Sequence, residues 1–131
     1  MIFNYQKEPY LEWENFIGVT FSRKLEYETA FDGVIKIYSL KTDVEFLNET
    51  LKGLFFHSFG YQTKYGVLLR QYKSKTSWPK TRLVHFNFFK NELIIIKNTN
   101  SSYDNWTVKE LENDKLVIAL TPDDFVEFEN K

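Results

Sequence analysis

The only side chains here with an ordinary pKa near neutrality are two histidines, His57 and His85. Neither sits in a His-x-His or His-x-x-x-His spacing, so a metal centre would need several carboxylates from distant segments. His57 and Ser58 are chain neighbours and on a strand point to opposite faces, so they make no nucleophile–base pair. No glycine-rich phosphate loop is present. The absence of cysteine excludes disulfides, thiolate nucleophiles and thiolate metal sites. The chemistry therefore points away from catalysis and toward binding, with no cofactor and no metal ligand set implied.

The second chemical feature is the distribution of charge. Residues 1–50 carry a net charge of −4, residues 51–98 carry +8 with Glu92 as their one acidic group, and residues 99–131 carry −5. An overall charge of −1 thus hides a strongly basic centre. Within it, Lys73, Lys75, Trp78, Lys80 and Arg82 interleave cations with an aromatic ring. That pattern suits phosphate contact plus stacking, or docking of an acidic protein surface. The competing reading is a neutralised face, in which acidic outer strands lie beside the basic ones and pair across the sheet.

Positioning these groups requires strands. Phe16 to Lys24, Val34 to Leu40, Leu54 to Gln62, Lys64 to Lys73, Thr81 to Phe89, Glu92 to Asn98, Asn105 to Glu112, Lys115 to Leu120 and Asp124 to Glu129 are rich in Phe, Tyr, Val and Ile. Lys90-Asn91 and Asn113-Asp114 suit tight hairpins. The i, i+3, i+7 spacing of Tyr10, Trp13 and Ile17 behind Pro9 predicts a short helix over about 9–16. Thr42 and Glu45 have capping-box spacing, Val44, Leu47 and Leu51 share a face, and Gly53 suits a C-terminal stop. These predict a second helix over about 43–52. The fold class is mainly β, a β-rich α+β chain. Its antiparallel meander closes into a barrel or forms a strongly curved sheet, with the two short helices, in a single domain spanning 1–131.

A ligand pocket in such a sheet would place polar side chains on otherwise apolar inward faces. Arg70 and Tyr72 share a strand face with Leu68. His85 and Asn87 share one with Leu83 and Phe89, while Arg82 lies opposite with Val84, Phe86 and Phe88. One of these two faces is expected inside. The candidate ligand-binding residues are Arg70, Tyr72, Arg82, His85 and Asn87, and the candidate interaction surface is Lys73, Lys75, Trp78 and Lys80. Trp13 and Trp106 fall on apolar faces and read as core.

Composition bounds the alternatives. Aromatic residues make up 18% of the 131 residues, with 13 Phe, 8 Tyr and 3 Trp, and only two alanines occur. This excludes disorder and an alanine-rich helical bundle. No apolar run approaches the ~20 residues of a membrane-spanning helix. Polar residues interrupt the first ten positions, so no export signal is read and a cytoplasmic location is expected. The Asn-, Lys-, Ile-, Phe- and Tyr-rich usage suits an AT-rich bacterial or phage genome.

The stretch Phe88-Phe89-Lys90-Asn91-Glu92-Leu93-Ile94-Ile95, then Trp106-Thr107-Val108-Lys109-Glu110-Leu111 and Glu112-Asn113-Asp114-Lys115-Leu116-Val117-Ile118, resembles the C-terminal half of lipocalin-like (calycin-type) domains over about residues 85–120. Phe16-Ile17-Gly18 is similar to their first-strand Phe-x-Gly. The resemblance implies a small barrel with an internal pocket and no particular ligand. Three expectations follow. The chain is a non-catalytic binding barrel for a small apolar or amphipathic ligand; or a protein-interaction module, such as a bacterial immunity or inhibitor protein using a charged face; or a nucleic-acid or nucleotide binder using residues 64–97. It is expected as a monomer or homodimer.

Overall fold

The computed structural model of the chain describes residues 10–30 and 34–130. They form a seven-stranded antiparallel meander in sequence order: β1 (Leu11–Phe16), β2 (Val19–Ala30), β3 (Val34–Thr42), β4 (Phe55–Gln62), β5 (Gly66–Tyr72), β6 (Lys80–Asn87) and β7 (Glu92–Asn100). Between β3 and β4 lies a single helix, α1 (Glu45–Leu51). The chain then builds a separate three-stranded sheet from β8 (Thr107–Leu111), β9 (Lys115–Ala119) and β10 (Phe125–Glu129), in the order β10-β9-β8. Among the described residues, no helix is long and apolar enough to cross a membrane.

The barrel does not close. Its closure needed the strand at Asp124 to Glu129 to meet the one near Phe16 to Lys24, but β10 pairs with β9, and β1 and β7 remain the edges of the large sheet. The reason is visible in β5 and β6. All seven residues of β5 are buried, and so are Leu83 to Phe86 of β6. Apolar side chains on both faces of the same strands need cover on both sides, whereas a small barrel covers only its interior face. The expectation that one face of residues 81–89 lies inside is therefore corrected, since both do.

The first core lies on the helix side. Val67 and Leu69 of β5 and Val84 and Phe86 of β6 pack there with Phe21, Leu40 and Phe56, beneath Leu47 and Leu51 of α1. The second lies under the small sheet, where Leu68 and Leu83 meet Trp106, Leu116 and Ile118. A smaller third cluster joins Ile35 and Ile37 to Tyr72, with Trp78 packed against it. Gly66 belongs to this double burial. A Cβ there would stand 1.8 Å from the Phe86 carbonyl oxygen, so only glycine lets β5 and β6 run this close.

The predicted helix over 9–16 is a strand instead. Pro9 lies outside the described residues, and Leu11 to Phe16 pair with β2 through a two-residue turn at Ile17 and Gly18, both at positive φ. A register shift between Glu12 and Glu14 marks a bulge at Trp13. The extra residue brings Trp13 and Phe16 to one face, with ring centroids 5.7 Å apart. A bulged strand thereby mimics the three-residue spacing of a helix.

The second predicted helix is present. Its capping box is not formed: the Thr42 hydroxyl accepts the Val44 N–H at 3.1 Å, and no side chain caps the helix at Val44. Asn48 locks the entry instead, accepting from the Thr42 N–H at 2.7 Å and donating to the Thr42 carbonyl at 3.1 Å. Gly53 at φ +77° ends it, as expected. The hairpin turns at Asn91 and at Asn113-Asp114 take the positive φ values their sequences suggest.

Candidate functional site

The β5 alternation sends Leu68, Arg70 and Tyr72 away from α1. Arg70 is fully buried and Tyr72 nearly so. The Arg70 guanidinium donates through Nε to Thr81 Oγ1 at 2.9 Å. Its two terminal nitrogens donate to the carbonyls of Tyr103 at 3.1 Å and Ser101 at 3.3 Å. The Trp106 and Trp78 rings flank it, with Cζ 4.1 Å and 5.0 Å from their centroids. Burial lowers its pKa to about 10, opposed by Tyr72 and Asp104, so it remains charged at neutral pH. The cation thus fastens the 101–106 crossover to the sheet by backbone acceptors and aromatic faces.

His57 extends this network. Its Nδ1 accepts the Phe59 N–H at 3.3 Å, so Nε2 carries the proton and donates to Asp104 Oδ1. Burial and, secondarily, Arg70 push the His57 pKa down against the pull of Asp104, which agrees with a neutral ring. The ring stacks on Trp78 at 6.0 Å and 13°. Tyr72 meets Trp78 edge-on at 6.2 Å and donates its hydroxyl to the Lys36 carbonyl at 3.2 Å. Trp78 is therefore held from behind by three buried or half-buried side chains, and its peptide bond to Pro79 is cis.

In front of Trp78 lies a groove of about 350 Å³. Ile37, Tyr27, Trp78 and Pro79 supply apolar walls. Thr29, Thr76 and Ser102 supply hydroxyls, and exposed Lys75 supplies the charge. It is an open groove at the edge of β3 and the 73–80 loop, not a barrel interior.

The predicted site residues thus part company. Arg70 and Tyr72 lie together behind the groove. Trp78 and Lys75 line it, so Trp78 is a wall of the site. Arg82 sits on the opposite, helix-side face, and exposed Lys73 and Lys80 flank the loop without lining the groove. His85 lies four residues along β6 from Thr81, buried beneath the small sheet. It bonds Thr63 Oγ1 at 2.7 Å, packs 4.5 Å from the Phe128 ring, and burial lowers its pKa to about 4. Asn87 caps the β6–β7 turn, accepting from Phe89 and Lys90 N–H at 2.9 and 3.0 Å.

Sequence reasoning missed the His57–Asp104 pair and the groove residues Tyr27 and Thr29. Asp104 is 47 positions from its partner, and no local spacing links the two. A second, apolar groove lies at the far end of β6, where Ile17, Phe46 and Phe89 are exposed around Val44 and Phe88. Among the described residues, no cluster of three or more His, Asp or Glu side chains could hold a metal ion. No family model matches the chain, and neither a curated protein nor a solved structure matches it.

Proposed function

We propose that this chain is a non-catalytic binding protein for a small amphipathic ligand, held in the groove beside Trp78 rather than inside a barrel. The observation that carries this reading is the pre-formed groove of about 350 Å³, apolar-walled with one cation at its rim. It falls within the roughly 300–1,000 Å³ range of small-molecule sites. The ligand it fits has a flat or aliphatic body against Trp78 and Ile37 and an anionic end near Lys75. The buried network behind Trp78 supports the same reading, because a wall fixed before binding loses little freedom when the ligand arrives.

The test is a fluorescence titration with 1-anilinonaphthalene-8-sulfonate, an aromatic anion of suitable size. Trp78→Ala is expected to abolish saturable binding. Lys75→Glu should weaken it about tenfold, the scale of one charge-assisted contact. Phe89→Ser, at the far apolar groove, should leave the affinity unchanged. Binding that survives both groove variants, or that vanishes with Phe89→Ser, rejects the assignment.

A further inference from the structure

The opposite face of the sheet carries a second feature, independent of the groove. Alternation from Val84 and Phe86, both in the helix-side core, puts Arg82 and Lys80 on the helix-side face of β6. Their cross-strand neighbours are neutral: Arg82 lies between Gln71 on β5 and Asn98 on β7, and Lys80 opposite Asn100. Lys73 follows directly on the end of β5 at Tyr72, whose partner Thr81 is the chain neighbour of both Lys80 and Arg82. Among the described residues, no ion pair engages these three cations. The Nε of Arg82 is buried with no hydrogen-bond partner. A buried donor left unsatisfied is costly, and it shows that the fold does not use up the donors of Arg82.

We propose that Arg82 and Lys80, with Lys73 just beyond the end of neighbouring β5, form a binding site for a compact phosphate-type oxyanion on the helix-side face of the sheet. Arg82 supplies directional N–H donors and the two lysines supply charge. Asn98 and Asn100, exposed beside them on β7, supply amide donors. A stacked single strand of nucleic acid fits less well. The half-buried Tyr38 of this face is already covered by Arg23, whose Cζ lies 4.3 Å from its ring, and Trp78 belongs to the other face.

The experiment is calorimetric titration with inorganic pyrophosphate at about 20 mM salt, where screening is weak. One site per chain is expected, with affinity falling as salt is added. Arg82→Gln and Lys80→Gln should each weaken binding about tenfold, the equivalent of one charge-assisted hydrogen bond. Lys80 is exposed, so its variant keeps the test alive if Arg82→Gln is poorly folded. Binding of 1-anilinonaphthalene-8-sulfonate in the groove should be unaffected by either, which separates this site from the one beside Trp78. Absence of pyrophosphate binding, or undiminished affinity in both variants, overturns the proposal. So does an equal loss in Lys75→Gln, or a single-stranded oligonucleotide that binds without competition from pyrophosphate.

Discussion

β5 and β6 present two faces that each bury a core and are built from different chemistry. On the helix side, Val67, Leu69, Val84 and Phe86 pack into the apolar cluster beneath α1, with the polar pair Gln71 and Arg82 at one end of it. On the small-sheet side, Leu68 and Leu83 alternate with Arg70, Tyr72, Thr81 and His85, each fully or nearly buried. The dry face is held by non-directional burial, which tolerates rearrangement. The other is held by hydrogen bonds to particular carbonyls, which specify where the 101–106 crossover lies. The groove stands at the border of that second face, because an immobile Trp78 needs a fixed backing.

The largest expected effect tests the dry face. Phe86→Ala should cost about 3–5 kcal/mol in urea unfolding, the range for a large aromatic removed from a packed core. A loss below ~1 kcal/mol would show that α1 collapses into the space. On the polar face, Arg70→Met keeps the volume and removes the donors, leaving the Ser101 and Tyr103 carbonyls without their guanidinium partner. The expected loss is smaller, about 1–3 kcal/mol, because the cost of burying the charge also disappears. Amide exchange should quicken in residues 101–106 and groove affinity should fall. A more stable variant with an unchanged crossover would reverse the comparison.

Acid titration separates the faces without mutation. Burial holds His85 neutral down to about pH 4 in the folded chain, against an ordinary 6.5 in the unfolded one. Between these values the unfolded state binds the additional proton. The contribution of His85 is therefore fully present above about pH 6.5 and is lost as pH falls toward 4, by at most about 1.4 kcal/mol per unit. His57 acts in the same direction. His85→Gln, which can still bond Thr63, should flatten the fall in melting temperature between pH 7 and 4. An unchanged slope would place the acid sensitivity elsewhere. The smallest effect is expected at Lys97, whose Nζ reaches Asp124 at 2.7 Å across the sheet layers in a half-exposed pair. Lys97→Gln should change stability by only about 0.2–1 kcal/mol, resolved by the shift in urea midpoint.

Most strands were legible because their signal is local: runs of β-branched and aromatic residues bounded by turn residues whose positive φ the structure reproduces at Asn91, Asn113 and Asp114. The β1 segment was misread because a bulge changes the phase of the alternation, and spacing without register cannot distinguish that from a helix. The site was half legible. Arg70, Tyr72, Lys75 and Trp78 stood out as polar or aromatic residues in a basic strand and loop. Tyr27 and Thr29 carried no comparable signal and reach the groove only through the pairing of β2 with β3.

The segmental charges could not reveal how acidic and basic stretches meet. Glu110, Glu112, Asp114, Glu127 and Glu129 belong to the small-sheet segment, where they are exposed. Lys80 and Arg82 face neutral amides in the large sheet. By itself the sequence determined the strands after β1, the hairpin turns at Asn91 and Asn113-Asp114, the helix at α1 and the basic centre, since each depends on neighbours along the chain. Tertiary structure alone decided that the meander stays open, that both faces of β5 and β6 are covered, and that Arg82 and Arg70 serve opposite sides. Those outcomes depend on which layer can bury the most apolar surface while satisfying Arg70, a competition among segments far apart in the chain.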